Sequence, residues 1–120
     1  QPYQLTLKTC PPHATGPNPE KEAITLLKHI PKSGVRIALD SRGTAYTSTQ
    51  FAKQLSQLHT DVTFIIGGAN GLAHSLLTQC QYQWSLSSLT FPHALAQLIL
   101  VEQLYRTQCI LTHHPYHKGH

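Results

Sequence analysis

The sequence predicts an α/β fold built on a parallel sheet, and three observations lead to this class. Short apolar runs alternate along the chain with longer stretches of helical period. One run, Val62–Ile66, is continuous, which is the pattern of a parallel strand covered on both faces. Glycine-rich or serine-rich turns follow two of the runs directly, as at the ligand-facing edge of an open α/β sheet.

Strands are predicted where short runs are apolar or alternate with polar residues. Tyr3, Leu5 and Leu7 alternate, as in a strand with one buried face. Val35–Leu39 is a short apolar run, and the polar stretch Asp40–Thr47 after it is predicted to be a loop. The four predicted strands are, in chain order, Tyr3–Lys8, Val35–Leu39, Val62–Ile66 and about Trp84–Leu86.

Helices are predicted where a start signal precedes apolar residues at helical spacing. Acidic residues follow Pro19 in the first turn of one helix, after the proline-rich loop Thr9–Pro19. Ser48 can cap the next helix, in which Phe51 and Leu55 lie on one face. The four predicted helices are Pro19–Ile30, Thr49–Leu58, about Leu72–Gln79 and about His93–Gln108.

Size and composition predict a single domain, residues 1–120, with an unusual surface. Charged residues make up 12% of the chain, about half of the ~25% usual for soluble domains. Such a surface is either hidden in an oligomer, which we favour, or built from amides and histidines. The net charge of +4 and nine histidines permit a polyanionic partner such as RNA, although no five-residue basic block occurs.

Cysteine usage and hydropathy predict a cytoplasmic protein. The three cysteines, Cys10, Cys80 and Cys109, form no CxxC pair, and an odd count argues against a disulfide framework. No apolar run reaches the ~18 residues of a membrane span, and no signal peptide is visible. The chain begins at Gln1 and contains no Met, so we expect that a segment before it is missing.

Two turns could bind a ligand. Gly67–Gly71 has three glycines in five residues after a strand, so it is either a wall of a cofactor pocket or an ordinary strand–helix turn. It is neither GxGxxG nor a phosphate-binding P-loop. Ser85–Pro92 mixes small hydroxyls with leucines, a composition that suits an adenosine-sized pocket or a structural loop equally well.

The last helix and the tail suggest further contacts. The helix His93–Gln108 is apolar around most of its circumference, which predicts burial on all sides and hence a second subunit. Glu102 and Arg106, at i and i+4, are predicted to form a structural ion pair. The four tail histidines from His113 to His120 lack a completing carboxylate or thiol, so we predict a tail that contacts substrate and no metal site.

Five segments together resemble one known family. They are Leu39-Asp40, IIGGANGL at Ile65–Leu72, QWSLSSLTFPH at Gln83–His93, LVEQLYR at Leu100–Arg106 and HHPYH at His113–His117. In order and spacing, from about Gln4 to Lys118, the chain resembles the bacterial large-subunit rRNA pseudouridine N3-methyltransferases of the SPOUT superfamily.

The resemblance implies a fold, a cofactor and a reaction. It implies a SPOUT-type fold with a C-terminal trefoil knot, a homodimer through His93–Gln108, and S-adenosylmethionine (SAM) as donor of a methyl group to N3 of a pseudouridine in 23S ribosomal RNA. His93, Tyr116 and His117 match the substrate side, with His117 as candidate base and Tyr116 stacking on or hydrogen-bonding to the target base. The implied cofactor residues are Leu39, Gly68, Ser87, Ser88, Leu89, Thr90, Phe91 and Pro92.

The chain also departs from this family. The strand–helix unit that normally opens the family is absent before Tyr3, so the domain reads as N-terminally short. Ala69 and Asn70 replace a usual Pro-Glu pair, Gln97 stands where a basic residue is common, and Lys118 replaces Arg. These departures keep an alternative open, namely a catalytically weakened, SPOUT-derived dimeric protein that binds RNA or cofactor.

Overall fold

A computed structural model describes residues 5–9, 28, 30, 33–66, 74–87, 89 and 91–113. Most of the predicted helix Pro19–Ile30 lies outside these residues. The strands within them are β1 (Leu5–Thr9), β2 (Val35–Ala45), β3 (Val62–Ile66) and β4 (Tyr82–Ser85). The helices are α1 (Ser48–Ser56), α2 (His74–Leu77) and α3 (His93–Leu111).

The four strands form one parallel sheet in the order β1-β3-β2-β4. The predicted fold class, α/β with a parallel sheet, is therefore confirmed. Leu39 of β2 pairs with Ile66 of β3 on one side and with Trp84 of β4 on the other. Because the strands are parallel, these residues form a row close to the carboxyl edge of the sheet.

The core lies on both faces of the sheet. One face carries Phe64, Trp84 and their neighbours, packed with Phe51 of α1 and Leu100 of α3. The opposite face carries Ala38 and Ile65, packed with Leu76 and Leu77 of α2. All five residues of β3 are buried, which is the physical reason why its sequence lacks a polar alternation.

An aromatic cluster fixes α1 and β4 against the sheet. The Trp84 ring lies edge-on to Phe51, with centroids 5.2 Å apart, and edge-on to Tyr46, at 5.4 Å. Such pairs contribute about 0.5–1.5 kcal/mol each beyond the area they bury. The end of β4 is therefore held firmly next to the end of β2.

The predicted loop Asp40–Thr47 is wrong over most of its length, because β2 continues to Ala45. After Leu39 has paired with Trp84, the backbone arches away, and Thr44 pairs with Trp84 again before Ala45 pairs with Ser85. We call residues 40–43 the β2 arch. The strand continues because its later residues regain backbone pairing with β4.

The predicted cap of α1 is displaced by one residue. Thr47, and not Ser48, is the N-cap: its hydroxyl accepts from the Gln50 backbone N–H (3.1 Å), while the Gln50 side chain accepts from the Thr47 N–H (2.9 Å). This reciprocal capping box satisfies two helix-end donors at once. The Ser48 hydroxyl instead donates to Gln103 of α3 at 2.8 Å.

Helix α3 is one turn longer than predicted and is not buried on all sides within a single chain. Leu100 is fully buried, whereas Leu98 is 65% exposed and Val101 and Tyr105 are each 52% exposed. The spacing of these three exposed residues, i, i+3 and i+7, places them on one side of the helix; we call them the α3 stripe. Among the described helices, none combines the length and apolarity needed to cross a membrane.

Candidate functional site at the carboxyl edge of the sheet

The topology indicates a ligand-binding edge at the carboxyl ends of β2 and β3. The chain leaves β2 through α1 on one face of the sheet and leaves β3 through α2 on the other. Where neighbouring parallel strands send their connections to opposite faces, the edge between them opens and can bind a ligand. The glycine-rich segment 67–71 follows β3 at this point in the sequence.

Leu39 lies at this edge, but its side chain belongs to the core. It is 8% exposed and packs in the cluster that includes Phe64 and Trp84. A ligand at the edge would therefore contact the backbone of Leu39 and only the small exposed part of its side chain. Its pairing with Trp84 sets Leu39 beside the start of the loop that follows β4.

The loop from β4 to α3 is shaped by its serines. The buried Ser85 hydroxyl donates to the Ser87 carbonyl oxygen at 2.7 Å, and the Leu89 backbone N–H donates to the Ser87 hydroxyl at 3.0 Å. These short local bonds are turns made by side chains in place of backbone pairing. They tie Ser87 to the end of β4 and Leu89 to Ser87 as the chain leaves the edge of the sheet.

Apolar side chains accompany these serines. Leu89, four residues after the end of the edge strand β4, is 67% exposed. Phe91 is half-buried, and Pro92 precedes the first turn of α3, where its carbonyl accepts from the Ala96 N–H at 2.9 Å. The loop thus offers an uncovered apolar surface beside placed polar groups, the combination found in small-molecule sites.

The structure places Leu39 next to the start of the loop that carries the other described members of the predicted cofactor set. Leu39 pairs with Trp84, one residue before Ser85, and the loop carrying Ser87, Leu89, Phe91 and Pro92 starts there. The other predicted site residues lie outside the described residues, so their roles stay predictions. They are Gly68, Ser88, Thr90, Tyr116 and His117.

The β2 arch contributes a charged pair that sequence reasoning missed. Asp40 is buried, with a side chain 4% exposed, and it accepts from the backbone N–H of Arg42 at 2.9 Å. The Arg42 guanidinium also donates to Asp40 through Nε (2.8 Å) and Nη2 (2.9 Å). This hydrogen bonding, together with the carboxylate charge, raises the pKa of Arg42 above its ordinary value, so the guanidinium stays charged at any physiological pH.

A sequence signal for this pair does exist. Asp, Ser and Gly are all common in turns, and an Asp side chain can accept from the backbone N–H two residues on, as in an Asx turn. The segment Asp40-Ser41-Arg42-Gly43 therefore suggests a tight turn, although it does not show that the strand resumes after it.

Two other predictions concern ions. Arg106 Nη2 lies 2.9 Å from Glu102 Oε2, so the predicted ion pair is confirmed. Within the described ranges, no three His, Cys, Asp or Glu side chains are grouped so that they could hold a metal ion. Of the tail histidines, His113 alone falls in those ranges.

Comparisons of the sequence with a family model and with individual proteins agree on one family. Residues 8–117 match the family model described as "Predicted SPOUT methyltransferase". A protein of Polynucleobacter asymbioticus is 52% identical over 103 residues, covering 83% of this chain and 70% of its own length. One from Synechococcus is 46% identical over 103 residues, with 85% and 72% covered. One from Legionella pneumophila is 44% identical over 102 residues, with 82% and 65% covered.

All three relatives are named "Ribosomal RNA large subunit methyltransferase H". The match covers the segments on which the resemblance rests, from β1 to the histidine-containing tail. The chain therefore belongs to the SPOUT family of methyltransferases, enzymes that transfer methyl groups.

Proposed function

We propose that this chain is a SAM-dependent methyltransferase that methylates N3 of a pseudouridine in 23S ribosomal RNA. The observation that carries the proposal is the serine-shaped loop from β4 to α3, which leaves the carboxyl edge of the sheet next to Leu39. The names of the relatives supply the substrate class, because each specifies RNA of the large ribosomal subunit.

The described residues fit an adenosine-bearing cofactor. An adenine ring needs apolar surface on its faces and backbone donors or acceptors at its edge, and the loop offers both. Leu89, at 67% exposed, and the half-buried Phe91 are the side chains that such a ring would cover. Gly68, Ser88 and Thr90 complete the proposed set. When bound, SAM supplies a methyl group already activated on a sulfonium.

The work left to the chain is positioning and proton removal. Because the donor is activated, catalysis depends largely on holding the acceptor nitrogen in line with the methyl carbon. N3 of pseudouridine must also lose a proton, which requires a base that works near neutral pH or a cation that stabilises the developing charge. We assign proton removal to His117, since histidine titrates in this range, and contact with the target base to Tyr116.

The oligomer and the remaining fold features belong to the same proposal. The α3 stripe of Leu98, Val101 and Tyr105 would be covered by a second copy of the chain, giving a homodimer through α3. The chain would form one domain, residues 1–120, with a trefoil knot in its C-terminal part. A ribosomal RNA substrate also agrees with the cytoplasmic location predicted from the cysteines.

A second candidate is a binding protein that has lost turnover. Gln97, half-buried in the second turn of α3, stands where the family commonly has a basic residue. The loss of a cation near the site would weaken transition-state stabilisation more than cofactor binding. This candidate keeps the dimer and binding of RNA or SAM, but not methyl transfer.

Methyl transfer decides between the two candidates. The chain would be incubated with labelled SAM and with ribosomes that lack the modification, and the RNA mapped by mass spectrometry. We expect label at N3 of one pseudouridine in 23S RNA, strongly reduced in His117→Ala and Tyr116→Phe. Bound SAM without transfer would favour the binding protein. Unchanged transfer in both variants would overturn the assigned roles.

A further inference from the structure

Arg42 combines exposure with a fixed orientation. Its side chain is 68% exposed, yet its guanidinium donates twice to Asp40, and its own backbone N–H donates to the same carboxylate. Exposed arginines usually sample many rotamers, and fixing one of them costs side-chain entropy. Here the buried carboxylate has already fixed the guanidinium on folding.

The arch that carries Arg42 is also held on its far side. Leu39 pairs with Trp84 before the arch and Thr44 pairs with Trp84 after it. Gly43 lies so close to β4 that an added Cβ would come within 2.5 Å of the Gln83 carbonyl oxygen. These contacts hold the arch in register with β4, so Arg42 lies close to Trp84 and Ser85, where the loop begins.

This position lies beside the candidate cofactor site. Asp40 follows Leu39 directly at the carboxyl edge, and Ala45, just after the arch, pairs with Ser85, where the loop begins. Asp40 occupies one edge of the guanidinium, through Nε and Nη2. A guanidinium has five N–H donors, so the outer ones can reach an oxyanion without breaking this pair.

We propose that Arg42, oriented by Asp40, binds an oxyanion at the mouth of the site, namely a phosphate of the RNA substrate. This inference rests on the proposed function and adds to it a contact for the substrate. The methionine carboxylate of the cofactor has the same chemistry, so the test separates the two sources. Asp40 acts as a positioning residue, because it touches Arg42 and not the ligand.

The primary test is Arg42→Gln, measured for binding of 23S RNA over a range of salt concentrations and, separately, for binding of SAM. For a phosphate contact we expect the dissociation constant for RNA to rise about tenfold and the salt slope to fall by about one, with SAM binding unchanged. A loss of SAM affinity with RNA binding unchanged would retain the oxyanion role and reassign it to the cofactor carboxylate. If neither changes, the proposal is overturned.

Asp40→Asn tests whether RNA binding depends on the orientation of Arg42 or only on the net charge of the chain. It makes the chain more positive by one unit, so a purely electrostatic attraction would strengthen RNA binding. If orientation matters, binding weakens despite the added charge, and that is the result we expect. Tighter binding by a folded Asp40→Asn chain would overturn the positioning role. Should this variant fail to fold, Arg42→Lys tests the same point, since it keeps the charge but loses the planar fork.

A matched control removes one positive charge elsewhere. Lys53 is exposed in the last turn of α1, and Lys53→Gln should change RNA affinity less than about twofold. An equal loss in Lys53→Gln and Arg42→Gln would overturn a specific contact. A wild-type chain that binds neither RNA nor SAM would overturn the proposed function as well. If wild type methylates RNA, and Arg42→Gln binds and methylates the RNA equally well, this inference is overturned while the proposed function stands.

Discussion

Gly43 lies directly against the backbone of Gln83, where an added Cβ would come within 2.5 Å of the Gln83 carbonyl oxygen. The atoms in contact belong to the backbones of β2 and β4, so neither can move aside as a flexible side chain would. The close approach allows β2 to return to β4 after its arch, and it thereby fixes the end of β4 from which the candidate site extends.

Gly43→Ala should therefore destabilise the protein. The added methyl group has no space unless β2 and β4 separate, so we expect the free energy of unfolding to fall by about 1–3 kcal/mol. Denaturant unfolding measures this change. Ser41→Ala, at an exposed residue of the same arch, is the control and should stay within about 0.5 kcal/mol of wild type. Equal stability of Gly43→Ala and wild type would show that the arch does not contact β4 as described.

Ser85→Ala should weaken SAM binding, because the loop loses a bond that shapes its start. It removes the hydroxyl that donates to the Ser87 carbonyl at 2.7 Å, and a hydrogen bond of this kind contributes about 1 kcal/mol, or roughly fivefold in affinity. Calorimetry with SAM measures the effect. Ser56→Ala removes a similar bond of 2.8 Å to the Lys53 carbonyl, away from the site, and should leave affinity unchanged. Equal affinities in the two variants would count against a ligand role for the loop.

Leu98→Glu should convert a dimer into a monomer. Leu98 is the most exposed residue of the α3 stripe, at 65%, and a carboxylate there would be buried without a partner in the proposed dimer. Sedimentation equilibrium should give a dimer for wild type and a monomer for the variant. Leu111→Glu changes another exposed leucine of α3, which lies roughly 140° around the helix from Leu98, and should remain dimeric. A monomeric wild type would contradict the proposal outright.

Cys80 gives a prediction about pH. Burial raises the pKa of its thiol above the ordinary value of 9.0, and the nearby charge of Arg36 offsets part of that rise. Folding thus favours the protonated thiol, so its contribution to stability is complete below the ordinary pKa and is lost as pH rises through the higher folded value.

Unfolding of wild type and Cys80→Ala in reducing buffer checks this contribution. The unfolding free energy of wild type minus that of Cys80→Ala should be constant near neutral pH and should decrease above about pH 9. The comparison between variants is needed because other groups also titrate there, including Tyr105, whose pKa is raised by its hydrogen bond to Cys109 and by that thiol's charge. If this difference stays constant up to the highest pH at which both proteins fold, the contribution assigned to Cys80 is refuted.

The sequence predicted the elements whose signal is local. Val62–Ile66 was predicted at its observed bounds, because full burial on both faces leaves a run without polar alternation. The start of α3 at His93, after Pro92, and the Glu102–Arg106 pair were also predicted correctly. Each of these depends on neighbours within a few residues of one another.

Features that depend on distant partners could not be predicted in this way. The continuation of β2 to Ala45 requires Trp84 and Ser85, some forty residues away. The sequence of the β2 arch, in contrast, resembles a polar turn. The cap of α1 is a local exception, because Gln50 stands three residues after Thr47 and completes the capping box, whereas Ser48 binds Gln103 of α3. The apolar composition of α3 predicted burial on all sides, whereas Leu98, Val101 and Tyr105 are uncovered in one chain.

The most direct test of the central claim is a calorimetric titration of the chain with SAM. The claim is that the carboxyl edge, from Leu39 to the Ser85–Pro92 loop, holds this cofactor. We predict saturable binding in the micromolar range that is weakened in Ser85→Ala and retained in Ser56→Ala. The absence of any binding by folded wild-type chain would contradict the claim and, with it, the proposed methyl transfer.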